Sequence, residues 1–394
     1  MVALTMAAIA GLAATRPQWS DGIGRPPPLP AAAATATPGR GARGDTSPRV
    51  VASPTAEADR APRRTSAPQG RPGGLGAPGA TGRLGAGIPG APTPRPRDAL
   101  LVRDAPDRDL VDLARRMGRT PGLAPRALEA APAPRAVGDQ ETFWVHDIVA
   151  QRYFTVTATL QALTDAAYFW VQDGYDFDGE ALDRGAQTFS AQIYPELRRV
   201  FGSEWSPGVD ADPALHVLHH QPIRGVAGYY SSADEYTTAV DRHSNVREMF
   251  YVNIDVYRPG SYDWLSLLAH EFQHMIHWHA DANEAVWLNE GLAELATTVA
   301  GYTTSSAGQF FSQPDTPLLE WNLDPGKNGP DYAAAFAFCT YLMGRFGEEG
   351  IGAIVAQPAN GPGGIEAGLA AIGQLERFDD LFLDWAVANA VDDP

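Results

Sequence analysis

Two histidines and a glutamate sit inside an otherwise apolar run, Leu267-Leu268-Ala269-His270-Glu271-Phe272-Gln273-His274-Met275-Ile276. No other stretch limits the fold so tightly. The apolar residues favour burial, and burying imidazole and carboxylate is costly unless something pairs with them. Trp264, Leu267, Leu268 and Ile276 have helical spacing; Pro259-Gly260 ends the preceding element, and Ser261 can cap the helix that follows. On such a helix His270 and His274 lie about 40° apart around the axis and about 6 Å apart along it. Both imidazoles leave one face and can reach one metal ion at about 2.0–2.1 Å. Glu271 points elsewhere and suits taking a proton from a water held at that ion. Surface histidines on a solvated face would not need such apolar flanks.

A catalytic zinc needs a third protein ligand and one open position. A second amphipathic helix follows, with Trp287, Leu288, Leu292, Leu295 and Val299 on its apolar face and Gly301 at its end. A short turn at 280–283 lets the two helices run side by side. Glu290 and Glu294 are four apart and share a face, so one can bind metal while the other orients an imidazole. Asp281 is a weaker rival for the third ligand. His277 and His279 read as surface or supporting groups.

The rest of the chain divides sharply. Residues 1–138 hold 19 basic and 10 acidic residues, and the remainder holds 11 basic and 37 acidic, so the net −17 splits into +9 and −26. So acidic a folded part excludes nucleic acid as its partner and is compatible with bound Ca²⁺. Residues 2–15 form an apolar stretch too short to span a membrane and similar to the core of an export signal. This gives a signal-like segment over 1–20, secretion or cell-surface display, and no stable membrane insertion. Residues 21–138 are rich in Pro, Ala, Gly and Arg, and read as a disordered linker or pro-region with one short helix within 98–117. The folded domain is expected over 139–394. Its lone cysteine, Cys339, lies in an apolar run, excludes an intrachain disulfide and reads as a small core residue.

Within the domain, 142–159 and 215–218 read as strands, as does 249–256, and 225–230 as a strand or loop. Residues 166–174 and 178–201 read as helices, with further helices opening at Asp331 and covering 382–390. The fold class expected is α+β, a mixed sheet before the motif helix and a mainly helical lobe after it.

The motif followed by Trp287-Leu288-Asn289-Glu290-Gly291 resembles the gluzincin zinc metallopeptidases. The Trp-Leu-Asn-Glu-Gly run is similar to that of membrane-alanyl-type aminopeptidases, and His270-Glu271-Phe272-Gln273-His274-Met275-Ile276-His277 resembles secreted bacterial peptidases of the hyicolysin and immune-inhibitor-A kind. The likeness is sharp over 264–296. It implies a zincin-like domain, Zn²⁺ held by His270, His274 and Glu290, Glu271 as the base, and Glu294 as a carboxylate supporting the first histidine. It also implies a Tyr or His beyond the third ligand as oxyanion donor; Tyr332 resembles the aminopeptidase tyrosine, with Tyr341, His243, His219 and His220 behind it. The sequence departs from the aminopeptidases in its 15-residue gap between His274 and Glu290 and in lacking the Gly-x-Met-Glu-Asn run that grips a free N-terminus. The implied activity is therefore endopeptidase action on a protein or peptide. Two other classes compete: a catalytically inactive surface or adhesion protein with this fold, and an amidohydrolase acting on a non-protein amide. Intact Glu271 speaks against the first, because a structural zinc needs no base and takes four closed ligands. No pattern speaks to oligomeric state.

Overall fold

The computed structural model describes residues 4–7, 110–119, 127–128, 132–221, 223–324 and 326–391. Most of the expected linker lies outside them, as does most of the apolar start. A curled, mixed, seven-stranded sheet precedes a helical C-terminal part. The strands are β1 (Leu4–Ala7), β2 (Gln140–Asp147), β3 (Arg152–Leu163), β4 (Ala167–Gln172), β5 (Leu215–His220), β6 (Gly228–Ser231) and β7 (Met249–Asn253). Their order across the sheet is β1-β6-β7-β5-β4-β3-β2. The pairs β4–β5 and β5–β7 are parallel, and the others are antiparallel.

The run 166–174, expected as a helix, is instead β4. Five successive residues of it, Ala167–Val171, are buried, so no polar face exists for a helical period to mark. Its aromatic and β-branched content, and its bounding by Thr164-Asp165 and Asp173-Gly174, fit a strand buried on both faces. Alternation then sends side chains to two cores. Phe169 and Val171 join the larger one under the helices. Tyr168 and Trp170 join a smaller one with Phe143, Val145, Leu218 and Tyr251.

The helices are α1 (Leu110–Arg116), α2 (Gly179–Thr188), α3 (Tyr194–Phe201), α4 (Tyr262–Ala280), α5 (Val286–Val299), α6 (Gly308–Ser312), α7 (Gly329–Val355), α8 (Gly361–Ala371) and α9 (Phe378–Val391). A π-helical turn, Phe189–Ile193, joins α2 to α3, so 179–201 runs on as expected with one wide turn inside it. Short α1 is the described part of the helix expected within 98–117. Arg135, just before the expected domain boundary, pairs with Glu141 and Asp212, and Leu128 N–H donates to the Val209 carbonyl. No helix among the described residues is long and apolar enough to cross a membrane.

Two features fix α4 and α5. The Ser261 hydroxyl accepts from Trp264 N–H at the start of α4. Further on, Gly291 lets α5 approach α7: a Cβ there would meet the Ala335 carbonyl oxygen and Cys339 Sγ, both at 2.8 Å. Buried Cys339 thus serves as the expected small core residue.

Candidate metal centre

α4 buries His270, Glu271, Gln273, His274 and His277 almost completely. The expected four-residue spacing brings His270 Nε2 and His274 Nε2 to 2.9 Å. α5 runs alongside and places Glu290 Oε2 at 3.4 Å from the first nitrogen and 3.6 Å from the second. Donor atoms about 2.0–2.1 Å from a tetrahedral ion lie roughly 3.3–3.4 Å apart, so this triangle has the size a metal ion requires. Glu290 Oε2 is buried and makes no hydrogen bond, an arrangement a bound cation would resolve. His270, His274 and Glu290 form one group that could hold a metal ion. Asp281 is not part of it; its carboxylate accepts from Asn283 N–H in the turn after α4.

The charges around the group favour a cation. Burial pushes the His270 imidazole down, but the Glu290 and Glu294 carboxylates outweigh it and raise the group to about 10. For Glu290 burial pushes upward, and the two imidazoles outweigh it and hold the carboxyl low. His274 is lowered by burial and by its neighbour His270. A proton shared among anionic and imidazole groups occupies the same electrostatic niche as a metal ion, and metal binding must displace it.

Glu294, one turn beyond Glu290, brings Oε1 to 3.3 Å from His270 Nδ1. Its other oxygen accepts from the Ser305 hydroxyl. Ser305 was not read from the sequence; it lies in a polar loop, Thr303-Thr304-Ser305-Ser306, whose composition says only that it is a loop. Tyr332 opens α7, is buried, and hydrogen-bonds the Glu290 side chain. Burial, then the nearby Glu290, Glu294 and Glu271, keep its phenol protonated. The Trp321 ring packs edge-on against it at 4.8 Å. Trp321 also has no local sequence signal, since its partner is reached only through tertiary packing.

The other residues weighed lie elsewhere. Tyr341 accepts from Arg345 on the outside of α7. His243 stacks on Tyr153. His219 accepts from Trp264 Nε1–H, and His220 packs edge-on against the stacked rings of Tyr229 and Tyr251. His279 is exposed, whereas His277 is fully buried and faces Glu284 at 4.0 Å. His277 is seven residues from His270 and so shares its stripe on α4, a relation already present in the sequence. Trp264 of α4 and Trp287 of α5 are core residues, and Trp278 is half-buried. No protein-family model matches the chain, and no curated protein matches it.

Proposed function

We propose that this chain is a zinc-dependent endopeptidase of zincin architecture that acts outside the cell or at its surface. The donor triangle of His270, His274 and Glu290, with the glutamate of the motif beside it, carries this reading. Two imidazoles and a carboxylate suit zinc and leave a fourth position open, as a catalytic rather than a structural site requires. When bound, zinc supplies Lewis acidity for the scissile carbonyl and brings its water's pKa towards neutrality. Glu271 takes the proton from the attacking water and passes it to the leaving amine. Glu294 fixes the His270 tautomer with Nδ1 protonated, so that Nε2 is free to bind. Tyr332, already at the ligand carboxylate, donates to the oxygen that gains charge.

The test is Glu271→Gln in the full chain. Zinc content should stay at one per chain while casein digestion falls on the order of 10²–10⁴-fold. Near-normal turnover in this variant would exclude the mechanism. A zinc-loaded wild-type chain that digests neither casein nor peptides would instead favour the inactive surface protein.

A further inference from the structure

A cavity of about 310 Å³ opens at the first turn of α5. Val286 and Trp287 from the first turn of α5 form one wall, Leu319 and Trp321 the facing wall, and Asn360, Gly361 and Pro362 the rim at the start of α8. No charged side chain lines it. Its volume is at the small end of ligand pockets, about 300–1,000 Å³, which suits one side chain better than a large ligand.

The cavity is tied to the candidate centre by two contacts. Trp321 packs on Tyr332, and Tyr332 hydrogen-bonds the Glu290 side chain. Trp287 and Glu290 belong to the same turn of α5. An extended chain advances about 3.3–3.6 Å per residue, so a peptide crossing the metal can reach this cavity within a few residues. One wall is rigid: the Trp287 ring lies 5.9 Å from Phe338 and 6.2 Å from Phe378. The rim is latched to the α4–α5 turn. Gly361 N–H donates to Glu284 at 2.6 Å, and Asn360 Nδ2–H donates to the Asn283 carbonyl at 2.8 Å. Gly361 takes φ +55°, where a Cβ would meet Ala285 Cβ at 3.5 Å and Trp287 Nε1 at 3.7 Å. Trp287 itself is buried at 4% exposure, so the cavity meets the indole only at its margin. The opposite wall is open, with Leu319 51% exposed, a surface an incoming apolar group would cover.

We infer that this cavity is a specificity pocket that takes one aromatic or long aliphatic side chain of the peptide substrate between Trp287 and Trp321. The inference rests on the peptidase reading for its substrate, and on the cavity alone for its chemistry. Burying such a side chain distinguishes it from alanine by roughly 10–100-fold. Acidic and basic side chains are rejected because no partner is present to receive their charge.

The test uses the zinc-loaded full chain and internally quenched peptides in which each of three residues on either side of the cleaved bond is Ala, Phe or Glu. One position should show a Phe:Ala ratio of kcat/KM of about 10–100, with Glu below Ala. Val286→Trp, which fills the mouth, should bring that ratio close to one, and Trp321→Ala should reduce it. In parallel, saturation-transfer NMR on the metal-free chain should detect N-acetylphenylalanine amide but not N-acetylalanine amide, with the signal lost in Val286→Trp. A ratio near one at every position, or one unchanged by Val286→Trp, overturns the pocket while leaving the peptidase reading intact. If no peptide is cleaved, the peptidase reading fails, and phenylalanine amide binding unaffected by Val286→Trp then overturns the pocket as well.

Discussion

The histidines of β5 and the pair His270 and His274 of α4 are equally buried and have opposite consequences. His219 accepts from Trp264 Nε1–H at 2.9 Å, and its other ring nitrogen donates to the Trp170 carbonyl at 2.8 Å. His216 accepts from Trp170 Nε1–H on the other face of the sheet. The His219 ring bonds to neutral partners, and His216 additionally meets a cation, the Arg247 guanidinium, at 3.5 Å. His270 and His274 turn their nitrogens towards each other and towards the Glu290 carboxylate, and the three form one group that could hold a metal ion. Burial of imidazole therefore does not distinguish a site from a core; the charge and direction of what faces it does.

The comparison breaks most sharply on metal content. His274→Ala should take zinc from one per chain to none, and His219→Ala should leave it at one. Metal analysis of both purified variants checks this, and equal zinc in the two would erase the distinction. The next effect concerns the hydroxyl at the edge of the centre. Tyr332→Phe should lower kcat by about 10²–10³ with little change in KM and none in zinc. Steady-state kinetics with metal analysis decides it; a loss of zinc with kcat per bound zinc preserved would make Tyr332 a positioning residue for Glu290.

The smallest effect lies on the strand. Burial lowers His219 and His220 to about 4. An unfolded histidine takes up its proton near 6.5, so the unfolded chain binds more protons between about 6.5 and 4. Stability is present in full above that window and is lost as pH falls through it, by about 3 kcal/mol for one such group. Denaturant midpoints should therefore drop between pH 6.5 and 4, and His220→Phe should flatten that slope. An unchanged slope in this variant would mean that the ring remains accessible to protons.

The motif helices could be read from the chain because their apolar period, cap and turn are all local: Ser261, Trp264 and the break at 280–283 each lie within a few residues of what they specify. The same locality makes the His270, His274 and Glu290 spacing readable. What could not be read depends on distant neighbours. β4 carries no period because both its faces are covered, so only its residue types and flanking turns pointed to a strand. Trp321 and Ser305 gain meaning only from α7 and α5 packing over them. His277 differs, since its position on the His270 stripe was visible and only its depth was not.

The contact of Gly291 with Ala335 and Cys339 carries a further consequence, for the order of events during synthesis. Glu290 stands next to that glycine, and Ala335 and Cys339 lie on α7, so the third candidate donor rests on residues made more than forty positions later. A nascent chain that has exposed both histidines still lacks the support that aims Glu290. Zinc uptake by stalled ribosomal chains should therefore begin only after the segment through about Leu342 has emerged, whereas uptake as soon as α5 is out would show that the two metal helices form the centre unaided. On this view the ion is acquired late, by a domain already closed around its place.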